Sequence, residues 1–359
     1  MRSIRTREGT TVKFTFFTEK DRLEKLSELG DSLERLNQVV NWEQFRPFLT
    51  LALYKEPKKS LAGRPPYDIV MMFKILVLQR IYNLSDDQTE FQINDRMSFM
   101  RFLGLGLEHR VPDAKTIWLF RDKLAKANAI ENLFETFTIQ LEKAHLVTHT
   151  GTIIDATFVD APRQRNTRDE NRKIKKGEIP EEWQEEDKKN KLCQKDTDAR
   201  WAKKGNELHY GYKNHVKADA ESKLITDYTV TSASASDGDV DVIDELVNDM
   251  DMILYADSAY SGEKTLKAIT KEGIEACVHE KGYRDHPLTD EQKQTNREKS
   301  RVRARIEHIF GFMTNSMRGI FVRSVGMLRA KFNIGMMNLV YNMFRAKVLL
   351  KNCPLARVG

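Results

Sequence analysis

Ile153-Ile154-Asp155-Ala156-Thr157-Phe158-Val159 and, about a hundred residues later, Ile253-Leu254-Tyr255-Ala256-Asp257-Ser258-Ala259-Tyr260 decide the fold class. Each is a short run of β-branched, aromatic and small apolar residues around a single carboxylate, which predicts a buried strand. An ionised Asp among apolar neighbours is costly unless a cation or fixed donors compensate it. Two such strands, followed by a Glu on a basic helix, predict a divalent-metal site of the kind that acts on phosphodiesters.

Around these stretches the order of elements is consistent. Gly151–Val159 is the first strand, Leu208–Ala218 and Leu224–Ser232 read as two more, and Val240–Met250 has helical spacing. Met252–Ala256 is a short apolar strand that delivers Asp257, Gly262–Glu272 is a helix, Glu275–His279 a last strand, and Thr289–Met317 a long helix. Three strands able to meander, followed by alternating helix and strand, predict an α/β fold: a mixed sheet flanked by helices. On the long helix Val302, Ile306, Ile309 and Met313 form an apolar seam that docks on the sheet, with Arg303 and Glu307 beside it one turn apart. As an isolated pair these two would be a weak surface ion pair; beside Asp155 and Asp257, Glu307 is the expected third carboxylate. Carboxylate oxygens suit Mg²⁺ or Mn²⁺, and two such ions about 4 Å apart activate a nucleophile and stabilise a leaving oxygen without a Ser, Cys or His nucleophile. On the second strand, alternation sets His209, Gly211, Lys213 and His215 on one face and Tyr210, Tyr212 and Val216 on the other. Lys213 and His215 are candidates to reach a phosphate near the carboxylates, against the plainer expectation of a solvent-facing edge strand. Gly211 marks a bulge or a close backbone approach. His145 and His149, at a helix-to-strand joint, lack the Glu of a zinc-protease motif and are expected to be structural.

Residues 1–145 form an all-α N-terminal domain apart from a short strand at Thr11–Phe17. Leu23, Leu26, Leu29, Leu33 and Leu36 make one helical stripe, and Gly63-Arg64-Pro65-Pro66 is a rigid break. Asp68 caps the apolar helix Ile69–Tyr82, Ser85 caps a helix through about Ser98, and Asp113 caps Ala114–Asn128. Arg96, Arg101, Arg110, Lys115, Arg121 and Lys123 leave two possibilities open, a helix-turn-helix-like DNA-binding unit or a packing and dimerisation domain.

Residues 160–206 interrupt the strand region, between 146–159 and 207–317, without apolar periodicity. Arg163, Arg165, Arg168, Arg172, Lys173, Lys175 and Lys176 place seven cations within fourteen residues, against only Asp169 and Glu170. So dense a run close to a buried carboxylate predicts contact with a polyanion. The acidic back half, Glu181 to Asp187, is expected to be a solvated face, and Trp183 and Trp201 local packing anchors. Residues 318–359 are a C-terminal helical extension whose Arg318 and Arg323, beside Gly319 and Gly326, are further phosphate contacts.

The composition agrees. The chain has 359 residues, 59 Lys+Arg against 53 Asp+Glu, a net charge of +6 and 40% hydrophobic residues. Its three Cys are unpaired in spacing, which argues against a disulfide framework or structural zinc. With no signal-like start and no run of the ~20 apolar residues a membrane helix needs, a soluble, cytoplasmic, nucleoid-associated protein is expected.

Four motifs in order carry a family resemblance: Asp155 in Ile153–Thr157, Tyr210-Gly211-Tyr212-Lys213-x-His215, Tyr255-Ala256-Asp257-Ser258-Ala259-Tyr260, and Arg303-x-x-x-Glu307-x-x-Phe310-Gly311. From about residue 60 to 345, the chain resembles bacterial insertion-sequence transposases of the DDE type, in the insertion-sequence-five family. The resemblance implies a ribonuclease H-like core with the first Asp on the first strand, the second ending the fourth, and the Glu on the final helix. It implies Asp155, Asp257 and Glu307 as catalytic, metal-binding residues for Mg²⁺ or Mn²⁺, in two ions. Arg303, Lys213, His215 and Tyr212 would support them, and Arg301 would join the basic residues above in binding DNA. Two positions depart from the family signature, Ser300 for a Tyr and Thr314 for a Lys, and these concern DNA handling more than metal binding. The implied activity is binding of terminal inverted repeats, hydrolysis of a phosphodiester to free a 3′-OH, and joining of that end to target DNA, by a homodimer formed on or off DNA. The alternatives are a metal nuclease of the same core without strand transfer and a transposase-derived DNA-binding protein with structural carboxylates.

Overall fold

The computed structural model describes residues 3–5, 11–13, 18–54, 65–186, 189–271, 273–283 and 286–350. Residues 14–17 of the predicted first strand, Gly63, Arg64, Asp187, Lys188, Glu272 and Cys353 lie outside them. A small antiparallel pair, β1 (Ser3–Arg5) and β2 (Thr11–Lys13), precedes the helices. The main sheet has six strands: β3 (Thr152–Asp160), β4 (Arg200–Lys204), β5 (Glu207–Asp219), β6 (Ile225–Ser232), β7 (Ile253–Ala256) and β8 (Glu275–Val278), in the order β4-β5-β3-β7-β8 with β6 also on β5. β3, β4 and β6 run antiparallel to β5, and β7 lies parallel to both β3 and β8. The sheet is therefore mixed, as expected.

Register fixes the two faces, because directly paired residues point the same way. Ile153, Asp155, Val216, Ala218 and Tyr255 share one face, covered by the helices Asp290–Gly311 and Met327–Leu349 and by the N-terminal helices. Ile154, Leu254 and Ala256 share the other with Val242, Ile243, Leu246 and Ile269, from the helices Val240–Leu246 and Glu263–Thr270. β5 is an interior strand, so Lys213 and His215 are buried rather than facing solvent at an edge. Gly211 (φ +153°) fits the expected close approach, since a Cβ there would lie 2.2 Å from the carbonyl oxygen of Val159.

The helical part shares its apolar core with the sheet. Asp68 accepts from the amides of Val70 and Met71 and starts Ile69–Tyr82, buried around nearly its whole circumference. The predicted leucine stripe is broken: Gly30 (φ +84°) ends Thr18–Glu28, and Asp31 caps a new helix, Ser32–Val39. Leu33 and Leu36 are buried, but Leu29 is 76% exposed. A local glycine stop and Asp cap outweigh the periodicity across them. Likewise the helix from Asp86 stops at Asp95 and restarts at Met97, and the long catalytic-side helix loosens into a π-helical turn over Phe312–Ser316.

Met327–Leu349 closes the molecule. Buried Asn338 exchanges two side-chain hydrogen bonds with Asn214 (2.7 and 3.0 Å), and buried Asn342 bonds both the amide and the carbonyl of Ile225. A Cβ at Gly335 would sit 2.2 Å from the Tyr228 hydroxyl, so glycine sets how closely this helix approaches β6. His145 and His149 hold left-handed backbone (φ +53° and +54°) at the joint into β3.

The insertion is more ordered than its sequence suggests. Thr167 and Glu170 form a capping box for the helix Arg168–Lys175, and buried Ile174 and Trp183 make a small core. Glu170 accepts from the Trp183 indole (2.8 Å). Buried Asp196 anchors the segment, accepting from the Tyr212 hydroxyl and from the amides of Asp198, Ala199 and Gly326.

His215 is fully buried, with Nε2 2.8 Å from the Thr231 hydroxyl and Nδ1 without a partner. Burial pushes its pKa down from 6.5 to about 4, so the folded protein keeps the ring neutral. The unfolded chain takes up that proton first; stability from this group is complete above pH ~6.5 and is lost as pH falls toward ~4, up to about 3 kcal/mol. Melting temperatures between pH 7 and 4.5 should therefore fall less for His215→Gln than for the wild type; parallel pH profiles would exclude His215 as an acid-sensitive group.

Candidate functional site

Asp155 lies inside β3, paired to Val216 of β5 on one edge and two residues past the last pair with β7, Ile153↔Tyr255, on the other. The parallel register Thr152↔Leu254 and Ile153↔Tyr255, continued by two residues, sets Asp257 beside Asp155 on the same face. Asp257 follows the last residue of β7 and caps the short 3₁₀ turn Ser258–Tyr260, its Oδ1 accepting from the Ala259 amide at 2.8 Å. Asp155 accepts from the Ala156 amide at Oδ1 (2.8 Å) and from Arg303 Nη1 at Oδ2 (2.9 Å).

Burial pushes the Asp155 carboxyl up to about 6, against the lowering effects of the Ala156 amide and Arg303, and the negative charge of Asp257 adds to the rise. One arginine thus undercompensates a carboxylate whose side chain is 16% exposed. Arg303 is itself imperfectly housed, with a buried Nε that has no hydrogen-bond partner. Tyr260, in the motif that contains Asp257 but not singled out from sequence, is fully buried with an unpartnered hydroxyl. Its phenol is held protonated, well above its usual range, by burial and by the charges of Asp155, Asp237 and Asp257.

Glu307 lies one turn beyond Arg303 on the helix Asp290–Gly311, exposed, and makes no hydrogen bond or ion pair among the described residues. No three His, Cys, Asp or Glu side chains among the described residues converge as a metal-holding cluster. The structure therefore brings Asp155, Asp257 and Arg303 together and leaves Glu307 outside that group. The pair of Asp carboxylates still suits a divalent cation: both are hard oxygen donors, and the elevated Asp155 pKa marks negative charge that more positive charge would stabilise.

The remaining predicted residues separate. Lys213 and His215 pair with Phe158 and Ala156, which places them on the opposite face of the sheet from Asp155. This corrects the expectation that they reach a phosphate at the carboxylates. The cause is the strand period of two: alternation within β5 fixes which of its residues share a face, and only the register with β3 fixes which face carries Asp155. Lys213 instead donates to Asp237 (2.7 Å) and the Ala235 carbonyl and lies over the Phe158 ring. Tyr212 is on the carboxylate face, but its hydroxyl is committed to Asp196.

Of the basic run, Arg165, Arg168, Lys175 and Lys176 are exposed with side chains unpaired among the described residues. Arg172 pairs with Asp169, Lys173 with Glu181, and Arg163 donates to the Leu208 carbonyl while lying over Trp201. Arg301 and Arg318 are exposed, and Arg323 donates to Asn83. In the N-terminal helices, Arg101 is bound to Asp31, Arg121 to Asp86, and Arg96 stacks on Phe99, so only Arg110, Lys115 and Lys123 of that set face solvent. These internal contacts favour a packing role for much of the helical region.

Residues 147–343, more than half of the chain, match the family model described as "Transposase DDE domain". The chain belongs to the DDE transposase family. Residues 21–123 match a second model, "Transposase domain (DUF772)", and this pairing is the arrangement of insertion-sequence-five-type transposases. The transposase is also similar to a chain in the "Cryo-EM structure of piggyBac transposase synaptic complex with hairpin DNA", at 10% identity, covering 88% of this chain and 74% of that one, with a TM-score of 0.44. No helix among the described residues is long and apolar enough to cross a membrane.

The elevated Asp155 pKa carries a stability cost. The ionised carboxylate is disfavoured in the fold, so the cost is fully present above pH ~6 and vanishes below the unfolded value near 3.8. Asp155→Asn should therefore be more stable than the wild type at pH 8, by about 1–2 kcal/mol once the loss of the Arg303 partner is subtracted. Denaturant melts at pH 8 and pH 4 check this; a destabilised variant at pH 8 would contradict it.

Proposed function

We propose that this transposase cuts and joins DNA at a site built on Asp155, Asp257 and Glu307, where Glu307, outside the Asp pair in the structure, would turn inward to help hold two Mg²⁺ or Mn²⁺ ions. The observation that carries the proposal is the pairing of Asp155 with Asp257 across parallel β3 and β7, under the helix that bears Glu307. When bound, the ions would supply a polarised water or 3′-hydroxyl as nucleophile and charge stabilisation for the leaving oxygen.

The protein's own residues do the rest. Continuous pairing of β3 with β5 through Asp155↔Val216, and with β7 just before it, keeps Asp155 from retreating into solvent. The Ala156 and Ala259 amides orient one oxygen on each Asp. Arg303 partly offsets the Asp155 charge in the unliganded protein and is placed to pass its own charge to a phosphodiester. Exposed Arg165, Arg168, Lys175 and Lys176, with Arg301 and Arg318, offer the phosphate backbone a cationic path. The substrates are terminal inverted repeats and target DNA, and the working unit is a homodimer on DNA.

Asp257→Asn and Glu307→Gln should bind terminal-repeat duplex as the wild type does and lose strand cleavage. Cleavage that persists in either variant would refute the triad. A joining assay separates transposition from simple nuclease action, since a nuclease yields cut ends and no recombinant product. Mg²⁺ or Mn²⁺ should raise the melting temperature of the wild type and not that of the Asp155→Asn/Asp257→Asn double variant; no shift in the wild type would favour a DNA-binding protein with structural carboxylates.

A further inference from the structure

A cleft of about 640 Å³ lies between the helices Ile69–Tyr82 and Ala114–Lys126 and the link 318–326, and shares no residue with the carboxylate site. That volume is the size of a small-ligand pocket. Four arginines line it, Arg80, Arg121, Arg323 and Arg329. Two are already neutralised: Arg121 grips Asp86 with both terminal nitrogens (2.6 and 2.8 Å), and Arg329 donates to Asp122 (2.8 Å). The other two have no carboxylate partner among the described residues.

Arg80 is only 9% exposed. It donates to the carbonyls of Gly319 (2.8 Å) and Phe321 (3.4 Å), and its buried Nε has no hydrogen-bond partner. Arg323 stands at the rim, donating to the side chain and carbonyl of Asn83 and lying 4.4 Å from the Phe321 ring centre. Both guanidinium groups line the cleft, and burial together with the Arg323 charge pushes the Arg80 pKa down to about 10. Asp87 is the one lining carboxylate not already paired with an arginine, and it is exposed. A buried cation with a free donor and no counter-ion is stabilised by an incoming anion, and guanidinium groups match phosphate geometry. Trp118, which lines the same cleft from the helix Ala114–Lys126, is 45% exposed, leaving aromatic surface open in a cleft lined by cationic groups.

We propose that this cleft binds a phosphate group of a DNA strand between Arg80 and Arg323, with Trp118 as the stacking surface for an adjoining base. The assignment rests on the reading that the protein acts on DNA, and is independent of which carboxylates cut it. Base-to-aromatic stacking tolerates any sequence, so the cleft would hold a strand without specifying it. It would also secure the strand against the link that runs from the Glu307 helix to the closing helix.

The test uses the full chain, with Arg323→Ala and Trp118→Ala chosen because both side chains reach the surface, and with matching far-UV spectra as the control for folding. Binding of dye-labelled single-stranded and duplex oligonucleotides is followed by anisotropy across a salt series, and inorganic phosphate is titrated by thermal shift. Expected are a weakening of oligonucleotide binding of about tenfold in each variant, a salt slope shallower by about one in Arg323→Ala only, and phosphate stabilisation of the wild type that Arg323→Ala lacks. Phosphate stabilisation with unaltered oligonucleotide binding in both variants would assign the cleft to free phosphate and overturn the DNA assignment. No phosphate effect and no change in either variant would remove the site altogether. Arg323 and Trp118 lie outside the carboxylate group and the readout is binding rather than cleavage, so failure here and failure of the catalytic assignment are distinguishable.

Discussion

β3 is hydrogen-bonded along its whole length to antiparallel β5 and at its start to parallel β7, and the rest of the active face depends on that double pairing. A strand held on both sides cannot slip by one residue without turning its whole apolar set to the wrong face. Ile153 and Ile154 are packed on opposite faces, so the register is locked from above and below. Asp155 is carried into the interior by neighbours whose burial stabilises the strand far more than its own desolvation costs. The parallel neighbour then ends one residue before Asp257, which puts a second carboxylate level with the first. Burial is the main source of the raised Asp155 pKa, the nearby charge of Asp257 adds to it, and Arg303 is the cation that, among the described residues, bonds Asp155 directly.

That arrangement is held from outside by one helix and two asparagine clasps. Met327–Leu349 packs on the N-terminal helices and on β6 together, so helical region and sheet share a single apolar cluster. The buried Asn338–Asn214 and Asn342–Ile225 contacts satisfy polar groups that would otherwise be stranded there, and they fix the helix in register with the sheet. Tyr212 and Asp196 serve a matching purpose for the insertion: one carboxylate gathers the β5 tyrosine, two insertion amides and the start of the closing helix. The basic helix Arg168–Lys175 is thereby presented from a folded base, its exposed cations outward and Ile174 inward.

The polar residues of β5 illustrate how a fold divides labour between faces. Lys213 spends its charge on Asp237 beneath the sheet, and His215 is kept neutral by burial. Neither is available on the side where a DNA backbone would meet the carboxylates. Cations that remain free are instead at the insertion, on the outer side of the Glu307 helix and at the cleft beside Arg80 and Arg323. Under the proposed function a long polyanion is held at several points while two acidic groups stay close together, and this separation of positive rim from negative centre fits both needs.

Local signals carried much of this into the sequence. Asp68, Ser85 and Asp113 announced their helices because a cap acts on amides two or three residues away. The strands around Asp155 and Asp257 were legible from composition, and Gly211 from the absence of a side chain where Val159 presses in. The insertion's helix and β4 were missed because their apolar content is a few scattered anchors, Ile174 and Trp183 among them, which form no period. By itself the sequence determined which segments become helix or strand and which residues carry charge, since those depend on neighbours within a turn or two. Only the tertiary structure decided that Asp155 lies beside Asp257 and Arg303, that Lys213 and His215 turn the other way, and that Arg80 and Arg323 line one cleft. Those outcomes depend on the register between distant strands and on the packing of helices more than a hundred residues apart, and no local pattern encodes either.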